Sequence, residues 1–250
     1  MLGTGTSGGV PLIGCDCEVC ISTNKKDKRL RSSVLIELDD FNFVIDTGPD
    51  FRYQMLRAKV KKLDAVVYTH DHKDHTGGLD DVRAFNFLQQ REMQVYATNA
   101  VQLSLEKAFH YLFIETKYHN IPNIKLNTIK NDEPFFLGSK EISPIEVLHY
   151  KLPVLGFRIE DFTYITDANY ISNKELSKIM GTKVLVLNAL RQKEHISHFT
   201  LSEAIEVAQI VKAEKTYFTH ISHQLGLHEK IEKELPENIY LAYDGLSLIF

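Results

Sequence analysis

The segment Thr69-His70-Asp71-His72-Lys73-Asp74-His75 carries five side chains that bind metal ions: His70, Asp71, His72, Asp74 and His75. Neutral imidazole suits zinc and other first-row metals, and carboxylate suits harder ions such as manganese. The apolar run Ala65-Val66-Val67-Tyr68 precedes the segment and Gly77-Gly78 follows it. The spacing predicts a buried strand, then the donors at its end, then a turn. A catalytic zinc takes three protein ligands and keeps a fourth position for water. Five donors at one place exceed that need, which points to two metals side by side. A single histidine beside a strand is ordinarily a polar surface residue. Three of them interleaved with two aspartates behind an apolar run fit that description poorly.

Cys15-x-Cys17-x2-Cys20 is a second ligand-like cluster. Three thiols within six residues match three ligands of a tetrahedral metal, with a fourth still to come. Asp16, Glu18 and the nearby lysines make the segment too polar for a group of small buried hydrophobes. His223 is the expected fourth donor. It lies three residues past His220, so one turn would carry a ligand to each site. His228 competes for the role, but its position belongs to the helix that follows.

Further donors close apolar strand patterns at His149, Asp167 and His220. Polar residues that converge from separate strand ends are the usual makeup of a catalytic site. Asp46, at the end of another strand, is placed to orient a ligating histidine. Turn chemistry explains Gly48, Pro49 and Asp50 as well as any functional role does.

His70-Asp71-His72-Lys73-Asp74-His75 matches the H-x-H-x-D-H signature of the metallo-β-lactamase superfamily. The opening Gly3-Thr4-Gly5-Thr6-Ser7-Gly8-Gly9-Val10-Pro11, followed by the three cysteines, resembles the PhnP-type phosphodiesterases within it. The matching motifs run from Gly3 to Gly245. This resemblance implies an α+β fold, a four-layer αβ/βα sandwich, with a dimetal site at the rim between two β-sheets. It implies that His70, His72 and His149 hold one metal, that Asp74, His75 and His220 hold the other, and that Asp167 bridges them. Asp71 and Lys73 fall at the variable positions of the signature. His198 matches a family histidine near the substrate phosphate, with His195 as its rival, so Asp74 and His198 are the expected catalytic residues. A histidine in T-H-x-x-H completes the cysteine site, which again selects His223. The cofactors implied are two divalent metals, Zn or Mn, and one structural Zn.

The implied activity is hydrolysis of a phosphodiester bond in a small substrate, cyclic and phosphoribosyl- or nucleotide-like. PhnP-type enzymes open 5-phosphoribosyl 1,2-cyclic phosphate. Two cations roughly 3.5–4 Å apart make a bridging water a hydroxide at neutral pH and clamp both oxygens of an in-line displacement. No side-chain nucleophile is then needed. RNase Z is a rival within the superfamily, but it lacks the cysteine triplet and uses a long Gly/Pro-rich arm not visible here. Thioester or lactam hydrolysis is a further alternative. A non-catalytic binding module would have lost ligands, and this chain retains the full set.

The chain has 250 residues, 44% hydrophobic and 25% charged, enough for a sizeable core in one domain spanning 1–250. A net charge of -4 argues against a nucleic-acid surface, which normally shows a basic excess. The partner that the resemblance implies is a small phosphodiester, and a homodimer is compatible with it. No signal peptide and no apolar stretch of membrane-spanning length stand in the sequence. The three cysteines crowd into residues 15–20, which suits a metal in a reducing cytoplasm and not a disulfide framework. Met1-Leu2-Gly3 leaves little room for a first strand, so a few preceding residues are expected to be missing.

The glycines of residues 3–11 suggest either a loop that approaches an anion or a tight turn with positive φ. Lys25, Lys26, Lys28, Arg29 and Arg31 suggest a solvated basic face, or one that draws a phosphate to the site mouth. Val34–Leu38 and Phe41–Ile45 flank Asp39-Asp40 as a hairpin. Leu79, Val82, Phe85 and Leu88 give a helical face over 79–90. Thr98 is the expected cap of a helix to about Phe113, with Val101, Leu103, Leu105, Ala108, Phe109 and Leu112 inward. Residues 115–130, with Tyr118 and His119, look irregular. Strands are expected at 93–97, 135–137, 142–149, 156–160, 162–167, 183–188 and 216–218, and around 239–250 with a turn at Asp244-Gly245. Helices are expected at 201–211 and 228–235.

Overall fold

A computed structural model describes residues 1–39, 41–114 and 121–250. Asp40 of the hairpin turn, and Tyr118 and His119, lie outside them. The chain divides into two compact units, one of Leu2 and Ser33–Lys130, the other of Met1, Gly3–Ser32 and Asn131–Phe250.

The first unit is built on a sheet of five strands in sequence order: β1 (Val34–Leu38), β2 (Phe41–Ile45), β3 (Ala65–Val67), β4 (Met93–Ala97) and β5 (Ile124–Thr128). β1 and β2 are the antiparallel hairpin, and the other neighbours are parallel. β3 is buried throughout, as a central parallel strand must be. β5 corrects the irregular assignment of 115–130. Its alternation of Ile124, Leu126 and Thr128 with polar residues is short, and pairing with β4 supplies what propensity alone did not.

The helical stretch after the metal segment is a 3-10 turn, Leu79–Val82, followed by a helix, Arg83–Gln89. Leu79, Val82 and Phe85 are buried, but Leu88 is 69% exposed. In the α-helix, steps of three lag a 3.6-residue turn by about 60° each, so the two steps from Val82 carry Leu88 about 120° off the buried face. The next helix is Asn99–Ala108, with Thr98 accepting from the Val101 amide. Leu103, on the side away from Val101 and Leu105, is 66% exposed, and Ala108 is exposed as well.

The second unit holds an eight-stranded sheet. Its strands are β6 (Phe135–Leu137), β7 (Lys140–His149), β8 (Leu152–Ile159), β9 (Phe162–Tyr164), β10 (Tyr170–Ile171), β11 (Val184–Asn188), β12 (Lys215–Thr219) and β13 (Ile239–Leu241). The order is β10-β7-β8-β9-β11-β12-β13, with β6 also on β7. β7, β8 and β9 form an antiparallel meander, and β9, β11, β12 and β13 run parallel. The helix Leu201–Val211 covers this sheet with Leu201, Ala204, Ala208 and Val211 and starts in a full capping box, Thr200 with Glu203. The final helix is His228–Glu232. Past β13 the chain has no further strand, so the expected strand pairing through Phe250 ends at Leu241, and the turn at Gly245 has φ +92°.

The glycine loop takes the turn alternative: Gly9 sits at φ +65° and donates to the Thr6 carbonyl at 2.8 Å. The basic run is not a uniform solvated face. Arg29 is buried and donates to Thr4 Oγ1 (2.8 Å), the Ala242 carbonyl (2.5 Å) and His228 Nδ1 (3.0 Å). Thr4 Oγ1 in turn donates to Asp244 Oδ1 at 2.8 Å. A buried cation needs such compensation. Burial lowers the Arg29 pKa to about 10, opposed by Asp244 and Asp27.

Candidate metal centre

In the first unit, β3 delivers the chain to Thr69 and His70, and a single helical turn, Lys73–Thr76, follows. Gly77-Gly78 ends it. A Cβ on Gly78 would run into the Gly48 carbonyl oxygen and would meet Phe51 Cβ at 2.8 Å, so glycine is required there by close approach. The Thr47 amide donates to the His75 carbonyl at 2.7 Å, and the Gly78 amide donates to the Thr47 carbonyl at 2.8 Å. These bonds fasten the metal segment to the loop that leaves β2.

Asp46 is the brace of that segment. It is buried and accepts from the Thr69 amide (2.9 Å), Thr69 Oγ1 (2.8 Å) and His75 Nδ1 (2.7 Å). A carboxylate only accepts, so the His75 proton sits on Nδ1 and Nε2 presents its lone pair. The Thr69 hydroxyl gives its one proton to Asp46 and therefore accepts from His70 Nδ1 at 2.9 Å. Nε2 of His70 is left as a ligand atom by the same logic. Burial pushes the Asp46 pKa up, and His75 opposes the shift. The His70 ring centroid lies 4.6 Å from that of His72 and 4.3 Å from that of His75, and His75 Nε2 lies 3.2 Å from Asp74 Oδ2.

In the second unit, His149 is the last residue of β7, before the two-residue turn Tyr150-Lys151 into β8. Its Nδ1 donates to the Ser197 carbonyl at 2.8 Å, which again leaves Nε2 as the ligand atom. Asp167 and His220 follow β9 and β12 in left-handed backbone, φ 57° and 56°, and Asp46 has φ 65°. Such conformations are uncommon outside glycine and gather where function fixes the backbone. Asp167 Oδ2 accepts from Thr166 Oγ1 at 2.6 Å and lies 3.2 Å from His220 Nδ1. Asn188, which closes the all-buried β11, holds both backbone groups of Ala168, at 2.7 and 2.9 Å.

His149, Asp167 and His198 offer ligand atoms within 4.8 Å of one another. The His198 ring stacks on His220 at 4.9 Å and lies 4.5 Å from His149, while the rival His195 lies 5.0 Å from His198. His198 Nδ1 is buried with no hydrogen-bond partner among the described residues. Burial, with His220 beside it, lowers the His198 pKa to about 2, so the ring is neutral.

The structure places Cys15, Cys17, Cys20 and His223 together, their ligand atoms all within 4.8 Å. His223 Nδ1 lies 3.4 Å from Cys15 Sγ and 3.3 Å from Cys17 Sγ. Bonds of about 2.3 Å to sulfur and 2.0–2.1 Å to nitrogen put tetrahedral S···N pairs about 3.6 Å apart, so the four donors fit a zinc. Cys20 also accepts from the Leu12 amide at 3.4 Å. The His223 contact brings the Cys17 thiol down to about 6, while burial pushes Cys20 up to about 11. His228 takes no part. It starts its helix between Arg29 and Glu232 Oε2, at 3.0 and 3.1 Å.

Thr69, Thr166, Asn188 and the Ser197 carbonyl were not singled out in the sequence. Asn188 had a signal, a lone polar residue closing Val-Leu-Val-Leu. A backbone carbonyl has none.

The family profile of the beta-lactamase superfamily domain matches residues 41–221. The structure is similar to that of a diphosphatase from the PhnP family, with 40% sequence identity and a TM-score of 0.93, covering 100% of this chain and 96% of that one. An octanoyltransferase of Porphyromonas gingivalis is 40% identical over 251 aligned positions, covering 100% of this chain and 51% of that protein. The chain therefore spans about half the length of that curated relative. A ribonuclease Z of Borrelia garinii is 23% identical, over 90% of this chain and 93% of its own length. With these matches the chain belongs to the metallo-β-lactamase superfamily, in its PhnP-type branch. It has that superfamily's α+β sandwich fold. Among the described residues no helix is long and apolar enough to cross a membrane.

Proposed function

We propose that this chain is a dinuclear-metal phosphodiesterase acting on a small phosphodiester, cyclic and phosphoribosyl- or nucleotide-like. The observation that carries the proposal is the braced donor set. His70 and His75 are held through Thr69 and Asp46, and His149 through the Ser197 carbonyl, each with Nε2 turned to ligation. Orienting bonds of this kind accompany metal-ligating histidines. The ligands proposed are His70, His72 and His149 for one metal and Asp74, His75 and His220 for the other, with Asp167 between them. Zn and Mn both suit that mixture.

Two divalent metals would supply an activated water and neutralise charge on the phosphoryl oxygens. The chain's own work is orientation. Asp46 and Ser197 fix the imidazoles, Thr166 and Asn188 fix Asp167 and its neighbour, and neutral His198 donates an N–H to a phosphoryl oxygen. Cys15, Cys17, Cys20 and His223 would hold a separate structural zinc beside the turn that carries His220. The similarity to a PhnP-family diphosphatase over the whole chain supports this reading. The test is metal analysis followed by hydrolysis of bis(p-nitrophenyl) phosphate and of a cyclic phosphodiester.

A second reading has one observation behind it, the 40% identity to half of a protein named octanoyltransferase. Under it the same site would hydrolyse a thioester. Release of free thiol from an octanoyl thioester, faster than phosphodiester turnover, would favour it.

A further inference from the structure

The segment between Arg191 and His198 connects β11 to the helix Leu201–Val211, and it has little packing of its own. Gln192, Lys193, Glu194 and Ile196 are exposed, Ile196 by 68%. An exposed segment without an apolar anchor is ordered only by its hydrogen bonds. Its base is fixed: the Leu190 amide donates to the Phe199 carbonyl at 3.0 Å, and the Phe199 amide to the Ala168 carbonyl at 2.8 Å. Its far end carries two groups that the proposed chemistry needs, the Ser197 carbonyl that fixes His149 and the His198 ring.

The Arg191 guanidinium uses all three nitrogens on this segment and its neighbour. Nε donates to the Lys193 carbonyl (3.1 Å), Nη2 to the Glu194 carbonyl (2.7 Å) and Nη1 to Gln224 Oε1 (2.9 Å). Gln224 stands next to His223, and its amide donates to Ser222 Oγ at 3.1 Å. Ser222 Oγ donates back to the Leu190 carbonyl at 2.9 Å, and Gln192 Nε2 reaches the Leu225 carbonyl at 3.2 Å. The turn that bears the zinc ligand is thereby laced to the segment that bears His198. Only a planar fork of donors serves three acceptors in this way; a lysine ammonium on a flexible stem does not.

We infer that Arg191 is a positioning residue, which folds residues 192–197 so that the Ser197 carbonyl holds His149 and His198 faces Asp167, and which ties this segment to the His223 turn through Gln224. The inference rests on the phosphodiesterase reading for its consequence in turnover, but its structural half does not. Arg191 touches no reacting atom. Misplacing a catalytic group by about 1 Å costs on the order of a hundredfold in rate.

The test compares Arg191→Met, Arg191→Lys and the milder Gln224→Ala with the parent protein. A slowly exchanging imidazole proton is expected from His149 Nδ1 on the Ser197 carbonyl. The one on His75 Nδ1, bonded to Asp46, is the internal control. In both Arg191 variants the His149 line should broaden into solvent exchange while the His75 line and the bound metals stay. Turnover of bis(p-nitrophenyl) phosphate should fall in kcat by roughly ten- to a hundredfold, with KM within about twofold. Gln224→Ala should lie between these variants and the parent, and it carries the test if the Arg191 variants fail to fold. A His149 line that survives loss of the guanidinium overturns the inference, even if the protein turns over no phosphodiester at all. A lost line with unchanged kcat also overturns it, because the position would then not matter to the reaction.

Discussion

Asp46 accepts three hydrogen bonds in a fully buried position, and one of its donors is a proposed metal ligand. Its replacement by asparagine keeps the volume and removes the charge. An amide at that place also offers an N–H where Thr69 and His75 already donate, so one bond becomes a clash of donors. Asp46→Asn is expected to weaken active-site metal binding by about 10–100-fold, measured by competition with a chelator, while the cysteine-site zinc stays. An unchanged affinity would remove Asp46 from the account. His198 is a different kind of residue in this proposal, a donor to the substrate and not a metal ligand. His198→Ala should keep its metals and lose kcat by about 10²–10⁴-fold; loss of a metal instead would make it a ligand.

At the scale of elements, the two sites share one turn. β12 ends at Thr219, His220 follows in left-handed backbone, and His223 comes three residues later. The Ile221 amide donates to the Thr4 carbonyl at 2.9 Å, and the Thr6 amide donates to the Ile221 carbonyl at 3.1 Å, so the N-terminal loop holds the turn between the two histidines. His223→Ala is expected to lower bound zinc by one per chain and to lower the melting temperature. Unchanged zinc stoichiometry would refute the assignment. Much of this was legible before the structure, because imidazoles and thiols at close spacing have few structural uses. The strand ends at His149 and His220 are visible because each closes an apolar strand pattern with a polar donor. Asp167 is three residues past the end of β9, and its backbone conformation left no mark on the sequence. Periodicity failed where it had to count turns: Leu88 and Leu103 match a spacing and face away from the core. Strand β5 was missed because its two apolar residues acquire meaning only beside β4. In the sequence Arg29 looks like the other cations of its run, since nothing local says that Thr4, His228 and Ala242 converge on it.

At the scale of the whole chain, that buried arginine sets a limit on acid tolerance. His228 Nδ1 accepts from Arg29, so a proton there would face a cation. Burial and Arg29 lower the His228 pKa to about 4, below its unfolded value of about 6.5. The folded state then binds the proton more weakly than the unfolded one. The stability tied to neutral His228 is fully present above about 6.5 and is lost as the pH falls toward 4. His228→Gln should flatten that part of the pH–stability curve measured by urea unfolding. An equally steep curve in the variant would place the acid sensitivity elsewhere.

The seven proposed ligands come from segments as far apart in the chain as His70 and His220. The claim that these donors serve phosphodiester hydrolysis is tested most directly by following a small cyclic phosphodiester with ³¹P NMR in the presence of the metal-loaded protein. Conversion to a phosphomonoester is expected, lost on chelation, restored by Mn or Zn, and absent in Asp167→Ala. A fully loaded protein that leaves every phosphodiester intact would contradict the account.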